Sequence, residues 1–328
     1  MKIFVAGGTG AVGKRLVPLL VARGHSVVAT TRSNTKIEEL HRTGAEAVML
    51  DGLNRAAVME VIDAVRPDVI VHQMTALASM KSLKKFDDEF KTTNRLRTTG
   101  TEYLIDAARR VGTRKLVVQS YAGWPAIRQG GRVKTEEDPL DPQPPHSMSC
   151  TLDGIRRLEA IVAAASDLTG IVLRYGSFYG PGTSFAPGGE IIEAIRGRKF
   201  PVVGDGQGVW SFIHMDDVAM ATCLAIERGT QGVYNIVDDE PAEVSVWLPY
   251  LAKVLGAKPP RYVPTWLGRL VIGDAGVSMM TKIRGASNAK AKDRLAWQPL
   301  YSSWREGFLG SLKFPTEKKP GPAMSSVR

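Results

Sequence analysis

The sequence predicts an α/β fold: a doubly wound parallel sheet with helices on both faces and a small C-terminal lobe beside it. Three observations predict it. Short apolar runs alternate with helical stretches through the first half of the chain. The first run ends in a glycine-rich segment, GGTGAVG, at residues 7–13. Two long helical stretches with no strand between them follow the last apolar run. With 328 residues, 44% of them hydrophobic and 23% charged, the chain can bury one large core, or one core and a smaller lobe.

Residues 2–6 are an apolar run that stops at glycine, as a buried parallel strand does. The next stretch sets Val12, Leu16, Leu19 and Leu20 on one helical face and ends near Gly24, with Pro18 predicting a local kink. A strand at 26–31, a helix at 36–42, a strand at 47–50 ending at Asp51, a helix at 58–65 and a buried strand at 68–72 follow. Residues 86–110 read as one long helical stretch with Leu96, Tyr103, Leu104 and Ala107 inward, and 115–119 as the fifth strand. Residues 154–165 read as helix and 171–175 as strand, while 176–189, rich in Gly and Pro, read as loop. A helix at 217–227 and a strand at 233–237 complete the sheet, and helices at 247–255 and 267–283 belong to the lobe. The last residues, 314–328, read as a disordered tail.

Composition excludes several function classes. No apolar run approaches the roughly eighteen residues of a membrane span, and the N-terminus lacks the apolar run of a signal peptide, so a cytoplasmic protein without membrane attachment is expected. Cys150 and Cys223 stand outside any C-x-x-C motif, and the five histidines lack paired ligand spacing, so neither a disulfide framework nor a metal is expected. The net charge of +10 comes from Lys and Arg spread along the chain, with no basic-plus-aromatic module. It reads as solvated surface that helps attract an anionic cofactor, and nucleic acid is not an expected partner.

Gly7, Gly10 and Gly13 make G-x-x-G-x-x-G between the first strand and the first helix, the dinucleotide-binding fingerprint of a Rossmann fold. The glycines serve a tight turn, close backbone approach to a pyrophosphate, and close helix packing. Thr9, Ala11 and Val12 complete the turn, whose free amides and helix dipole favour phosphate. An NAD site usually carries an acidic residue after the second strand; Arg32 stands there instead, with Ser33 and Lys36 near it, and can grip a 2′-phosphate. NADP(H) is the expected cofactor. Asp51 is read either as a partner of the adenine amino group or as a turn or cap residue, and Gln73 and Met74 as lining the groove.

The GGTGAVG segment, Asp51, Asn94 and Val117-Val118-Gln119-Ser120 together resemble the extended short-chain dehydrogenase/reductases. So do Leu173 to Gly182 (LRYGSFYGPG), Trp210 to Ala219 (WSFIHMDDVA), Val233-Tyr234-Asn235-Ile236 and Leu295 to Pro299 (LAWQP), in that order. The resemblance covers residues 1 to about 312. It implies a cofactor domain of residues 1–174 plus 209–237, a substrate lobe of 175–208 plus 238–313, and a small-molecule substrate held in the cleft between them over the nicotinamide. It is compatible with a homodimer through the helices near 86–110 and 153–165.

The sequence also departs from that family. The family's catalysis uses a Tyr with Lys four residues later, and none of the eight tyrosines here has Lys at that position. Counting back from Arg156-Arg157-Leu158-Glu159 sets the Tyr position near Thr151 and the Lys position near Ile155, and the orienting Ser or Thr near Tyr121, beside Ser120. The resemblance is therefore closest to the atypical, epimerase/dehydratase-like members. Tyr121, Ser120 and Thr151 are the candidate catalytic residues, with Tyr175, Tyr179 and His146 as alternates. His214 and Asp216 read as fixing the lobe junction, and Arg284 either as a contact for an anionic substrate group or as a solvated arginine. Trp124, Phe178, Phe185 and Trp210 suggest an apolar pocket suited to an aromatic or lipophilic carbonyl or enone. The reading that follows is an NADP(H)-dependent reductase with a noncanonical proton donor. An epimerase or dehydratase that retains its cofactor, and a non-catalytic NADP-binding sensor, stay open as alternatives.

Overall fold

The apolar runs pair into one seven-stranded sheet. In chain order its strands are β1 (Lys2–Ala6), β2 (Ser26–Thr31), β3 (Glu46–Met49), β4 (Val69–His72), β5 (Lys115–Tyr121), β6 (Thr169–Tyr175) and β7 (Gly232–Ile236). Across the sheet they run β7-β6-β5-β4-β1-β2-β3, all parallel. Because β4 returns to lie beside β1, the winding direction reverses between them, and a crevice opens above their carboxyl ends. The structure is a computed structural model and describes residues 1–77 and 83–313; the tail expected at 314–328 lies outside the described residues.

The helices are α1 (Gly13–Ala22), α2 (Ile37–His41), α3 (Arg55–Val65), α4 (Phe86–Arg95), α5 (Thr101–Val111), α6 (Ser149–Ala164), α7 (Glu190–Arg196), α8 (Met215–Arg228), α9 (Val244–Val254), α10 (Thr265–Thr281), α11 (Ala289–Leu295) and α12 (Trp304–Lys313). Side chains alternate across each strand, so β1 sends Ile3 and Val5 to one face and Phe4 and Ala6 to the other. The first face packs on Leu16, Val17 and Leu20 of α1 and Val218, Ala221 and Ala225 of α8. The second packs on Val58 and Ile62 of α3, Leu104 and Ala108 of α5, and Leu158 and Val162 of α6. Two buried faces explain why the strands read as nearly continuous apolar runs.

The structure corrects four expectations. The stretch 86–110 is broken: α4 and α5 are joined by a π turn, Leu96–Gly100. Strand β5 runs on through Ser120 and Tyr121, because both pair in register with Arg174 and Tyr175 of β6. Helix α6 starts at Ser149, five residues before the expected 154, which puts Thr151 in its first turn. The Gly/Pro-rich segment contains a short strand, Ser177–Tyr179, parallel to Phe212–His214.

A separate core lies beyond the sheet. Tyr179, Phe185, Ile192, Val202, Phe212, Trp247, Leu251, Trp304 and Phe308 form it, with Phe185, Phe212 and Trp247 meeting edge to face. A further cluster of Phe86, Phe90, Trp124, Met148, Leu152, Ile155, Ala275 and Ile283 joins α4 and α6 to α10. That seam carries α10 against the carboxyl end of the sheet.

Candidate active site

The glycine segment is built by exclusion. Gly7 follows β1 at φ +98°, and a Cβ there would lie 2.8 Å from the carbonyl carbon and oxygen of Gln73, which follows the neighbouring β4. A Cβ on Gly13, the first residue of α1, would lie 2.4 Å from the Gly7 carbonyl oxygen and 2.5 Å from that of Gly8. The turn is closed by the Gly10 amide donating to the Gly7 carbonyl (3.1 Å) and by the Gly7 amide donating to Thr30 Oγ1 (3.0 Å). Thr9 Oγ1 donates to Thr31 Oγ1 at 3.2 Å, tying the turn to β2. Among the described residues no backbone carbonyl takes the amide hydrogens of Ala11 or Val12, at the N-terminus of α1. A cradle that any side chain would fill, with free amides at a helix start, fits a dinucleotide pyrophosphate.

The residues expected around the cradle have different surroundings. Arg32 is exposed just past β2 and has no ion pair or hydrogen bond among the described residues, while Ser33 Oγ meets Thr35 Oγ1 at 2.7 Å. Lys36 is exposed at the end of the following turn. Asp51 Oδ1 accepts from the Leu53 amide (3.0 Å), the geometry of a turn residue, ahead of the Asn54 cap on α3. Gln73 gives the groove its backbone; its buried side chain turns away, donating to Tyr175 Oη at 3.0 Å, and its Oε1 has no partner among the described residues. Met74 is buried, its sulfur 2.4 Å from where a Cβ on Gly52 would stand.

The three candidate catalytic residues also separate. Ser120 Oγ donates to Glu159 Oε1 (3.0 Å), and Arg174 clamps the same carboxylate through Nε (2.8 Å) and Nη2 (2.6 Å). Its hydroxyl is thus committed to a buried ion pair. Thr151 is fully buried; its hydroxyl donates to Asp87 Oδ1 at 2.6 Å and accepts from Asn94 Nδ2 at 3.2 Å. Ile155, one turn on, lies in the apolar seam. Tyr121, by contrast, lines a narrow open cleft of about 20 Å³ with Gly123, Trp124, Ser177, Trp210, Met279 and Ile283. Its Oη meets Ser177 Oγ at 3.0 Å, and burial raises its pKa above the ordinary tyrosine value.

Trp124 and Trp210 line this pocket as expected, and Trp210 is fixed by its Nε1 donating to the Met279 carbonyl at 2.9 Å. Phe185 does not; it is buried in the lobe core, and Phe178 packs on the core beneath α1 and α8. Tyr175 and Tyr179 are buried, Tyr175 holding Thr222 Oγ1 at 2.8 Å. His146 lies exposed in a 3₁₀ turn. His214 caps α8 by accepting the Asp216 amide at 3.2 Å and lies against Tyr301, with 3.9 Å between ring centroids. Arg284 is half-buried, and its Nε has no partner among the described residues.

Two residues here escaped the sequence reading. Asp87 accepts both the Cys150 amide (3.0 Å) and the Thr151 amide (2.8 Å), closing the N-terminus of α6 from α4. Arg97 is buried in the π turn, and its side chain makes one hydrogen bond among the described residues, to Asn94 Oδ1 at 3.3 Å. The spacing Phe90, Asn94, Arg97 on one helix face was the available signal.

With this geometry in view, comparison with known proteins is specific. The family model described as the NAD dependent epimerase/dehydratase family matches residues 3–237. The chain is 42% identical over 308 residues to a 3-diazoavenalumate denitrifying reductase from a Streptomyces species, covering 94% of this chain and 99% of that one. It is 30% identical over 262 residues to a 4-hydroxy-2-methyl-3-oxo-4-farnesyl-3,4-dihydroquinoline-1-oxide ketoreductase of Stigmatella aurantiaca, covering 79% and 74%. Among solved structures, a Thermotoga maritima UDP-glucose 4-epimerase with UDP-glucose superposes at a TM-score of 0.75 and 23% identity, covering 96% of this chain and 98% of that one. A human epimerase family protein with NADPH gives 0.73 at 18% identity, covering 96% and 100%. These two likenesses concern the fold.

Proposed function

Because the chain belongs to the NAD dependent epimerase/dehydratase family, we propose that it is an NADP(H)-dependent reductase of a flat, apolar or aromatic carbonyl or enone, with Tyr121 as proton donor. The observation that carries the proposal is the pocket at the carboxyl ends of β5 and β6, walled by Trp124, Trp210, Met279 and Ile283, with the Tyr121 hydroxyl as a polar group among apolar walls. The named reductases among the relatives support the reaction type. The exposed, unpaired Arg32 supports NADP(H) over NAD(H). Residues 1–174 plus 209–237 would hold the cofactor, and 175–208 plus 238–313 would close over the acceptor.

When bound, the dinucleotide supplies a hydride to the acceptor carbon, and the acceptor oxygen takes one proton. Tyr121 keeps its proton through neutral pH, since burial raises its pKa above the ordinary tyrosine value. Ser177 orients the Tyr121 hydroxyl, and the indoles stack on the acceptor plane and keep water out. Thr151 and Ile155 would stand where the family's Tyr and Lys act, and neither supplies an acid there.

That absence favours a second reading, suggested by the relative whose name describes denitrifying reduction of a diazo compound. An arenediazonium acceptor that takes a hydride becomes the arene and releases dinitrogen, and this needs no proton from the protein.

The test is anaerobic NADPH consumption against aromatic ketones, enones and diazophenols, with Tyr121→Phe alongside. Net consumption with a ketone or enone, falling at least about tenfold in Tyr121→Phe, is expected. Consumption with a diazophenol alone, unaffected by that substitution, selects the second reading. A dinucleotide retained through purification with no net NADPH loss would overturn both in favour of an epimerase or dehydratase. NADPH binding without turnover of any acceptor would leave a cofactor-binding sensor.

A further inference from the structure

Arg97 is a buried cation with no ion pair among the described residues. It is 5% exposed, its Nε has no partner among the described residues, and its one hydrogen bond is the 3.3 Å contact to Asn94 Oδ1. The Phe90 ring lies 5.6 Å from the guanidinium carbon and offers a weak electrostatic contact. Glu159 raises its pKa from a distance, but that carboxylate is already held by Arg174 and Ser120. Burial prevails and pushes the Arg97 pKa down to about 10. An interior arginine whose buried Nε has no partner among the described residues is costly, and a bound anion would offset that cost.

Its place in the fold says which ligand that is. Arg97 lies in the π turn between α4 and α5, a helix irregularity that often marks a functional site. The preceding residue, Leu96, takes a hydrogen bond on its carbonyl from Nε2 of His72 (3.0 Å), the last residue of β4. The Leu96 side chain reaches to 3.4 Å of where a Cβ on Gly52 would stand, past the end of β3. The turn also packs on α6, whose Glu159 holds the Ser120 hydroxyl at the end of β5. Arg97 is therefore set over the carboxyl ends of β4 and β5, on the far side of the crevice from Arg32, which follows β2. A dinucleotide lying across that crevice puts its adenosine end toward β2 and its nicotinamide end toward β4 and β5.

We propose that Arg97 is the counter-charge for the nicotinamide-side phosphate of the bound dinucleotide, so that two arginines, Arg32 and Arg97, hold the two ends of one anionic cofactor. This rests on the reading that the glycine cradle binds NADP(H). Arg97 acts by binding and is not a proton donor; at neutral pH it stays charged. The two ends are thermodynamically separable, because a ligand fragment can reach one without the other.

The experiment compares wild type, Arg97→Met and Arg97→Lys by fluorescence titration with NADPH and with adenosine 2′,5′-bisphosphate, which lacks the nicotinamide half. It adds the melting temperature of each ligand-free protein. Arg97→Met should bind NADPH roughly tenfold to a hundredfold more weakly, the range expected on losing charge-assisted hydrogen bonds, and should bind the bisphosphate as wild type does. Arg97→Lys, which keeps the charge without the planar fork, should fall between. The ligand-free Met variant should melt no lower than wild type, since it loses an unpaired buried charge; a structural arginine would do the reverse. Unchanged NADPH affinity in both variants overturns the proposal. So does an equal loss for NADPH and bisphosphate accompanied by a lower melting temperature, or an effect confined to the KM of the acceptor. Wild type that binds no NADPH would overturn the cradle reading and this proposal together, whereas wild type that binds and variants that bind equally well would overturn only this one.

Discussion

Gly13 and Gly10 belong to the same motif, but their surroundings rank them differently. A Cβ on Gly13 would strike two backbone carbonyl oxygens at 2.4 and 2.5 Å, whereas one on Gly10 would stand 3.3 Å from its nearest neighbour. Gly13→Ala should therefore abolish NADPH binding or weaken it by at least about tenfold and lower the melting temperature, with Gly10→Ala milder on both counts. Equal effects in parallel titrations and melts would mean that the cradle is not set by backbone approach. Arg32→Asp should reverse cofactor choice, weakening NADPH roughly tenfold or more while NADH binds as well or better. The cradle was legible because its glycines recur at a fixed spacing between the first strand and the first helix. The partners of Ser120 and Thr151 were not legible: Glu159 and Asp87 lie 39 and 64 residues away, and no local pattern announces either.

Helix α6 shows the same limit at the scale of an element. Its first residues, Ser149, Cys150 and Thr151, supply no local side-chain cap, so periodicity alone starts the helix at Gly154. The missing cap comes from the Asp87 carboxylate on α4, which takes two of the orphan amides and the Thr151 hydroxyl. Asp87→Ala should cost about 1–2 kcal/mol in a denaturation midpoint experiment, as loss of a helix cap does, and no change would assign the cap elsewhere. The π turn was invisible for another reason: the stripe through Leu96, Leu104 and Ala107 reads the same whether or not one extra residue is inserted in the helix. The strand Ser177–Tyr179 was hidden by its Gly and Pro neighbours, since its partner Phe212–His214 lies well downstream.

The whole molecule follows more closely from its sequence. The inner strands of the parallel sheet, β1 and β4 among them, are buried on two faces and so read as apolar runs, and the crevice follows from the β1–β4 reversal. The aromatic seam joining α4, α6 and α10 did not follow, because its members come from distant segments. One buried group at the heart of the sheet links the fold to pH. His72 has both ring nitrogens occupied in its neutral form: Nδ1 accepts the Met74 amide and Nε2 donates to the Leu96 carbonyl. Burial is the main cause that lowers its pKa to about 4. The folded value is below the ordinary one, so this stability is fully present above about pH 6.5 and is lost as pH falls through about 4. It amounts to a few kcal/mol at most, and His72→Gln should flatten the change in urea midpoint between about pH 7.5 and about pH 4.5. An identical slope in wild type and variant would remove His72 from the account. Side-by-side titration of the purified protein with NADPH and NADH decides whether the β1–β4 crevice is the NADP(H) site proposed above. Saturable binding of both is expected, with NADPH tighter by at least about tenfold through Arg32. Binding of neither dinucleotide, or of NADH as tightly as NADPH, would contradict it.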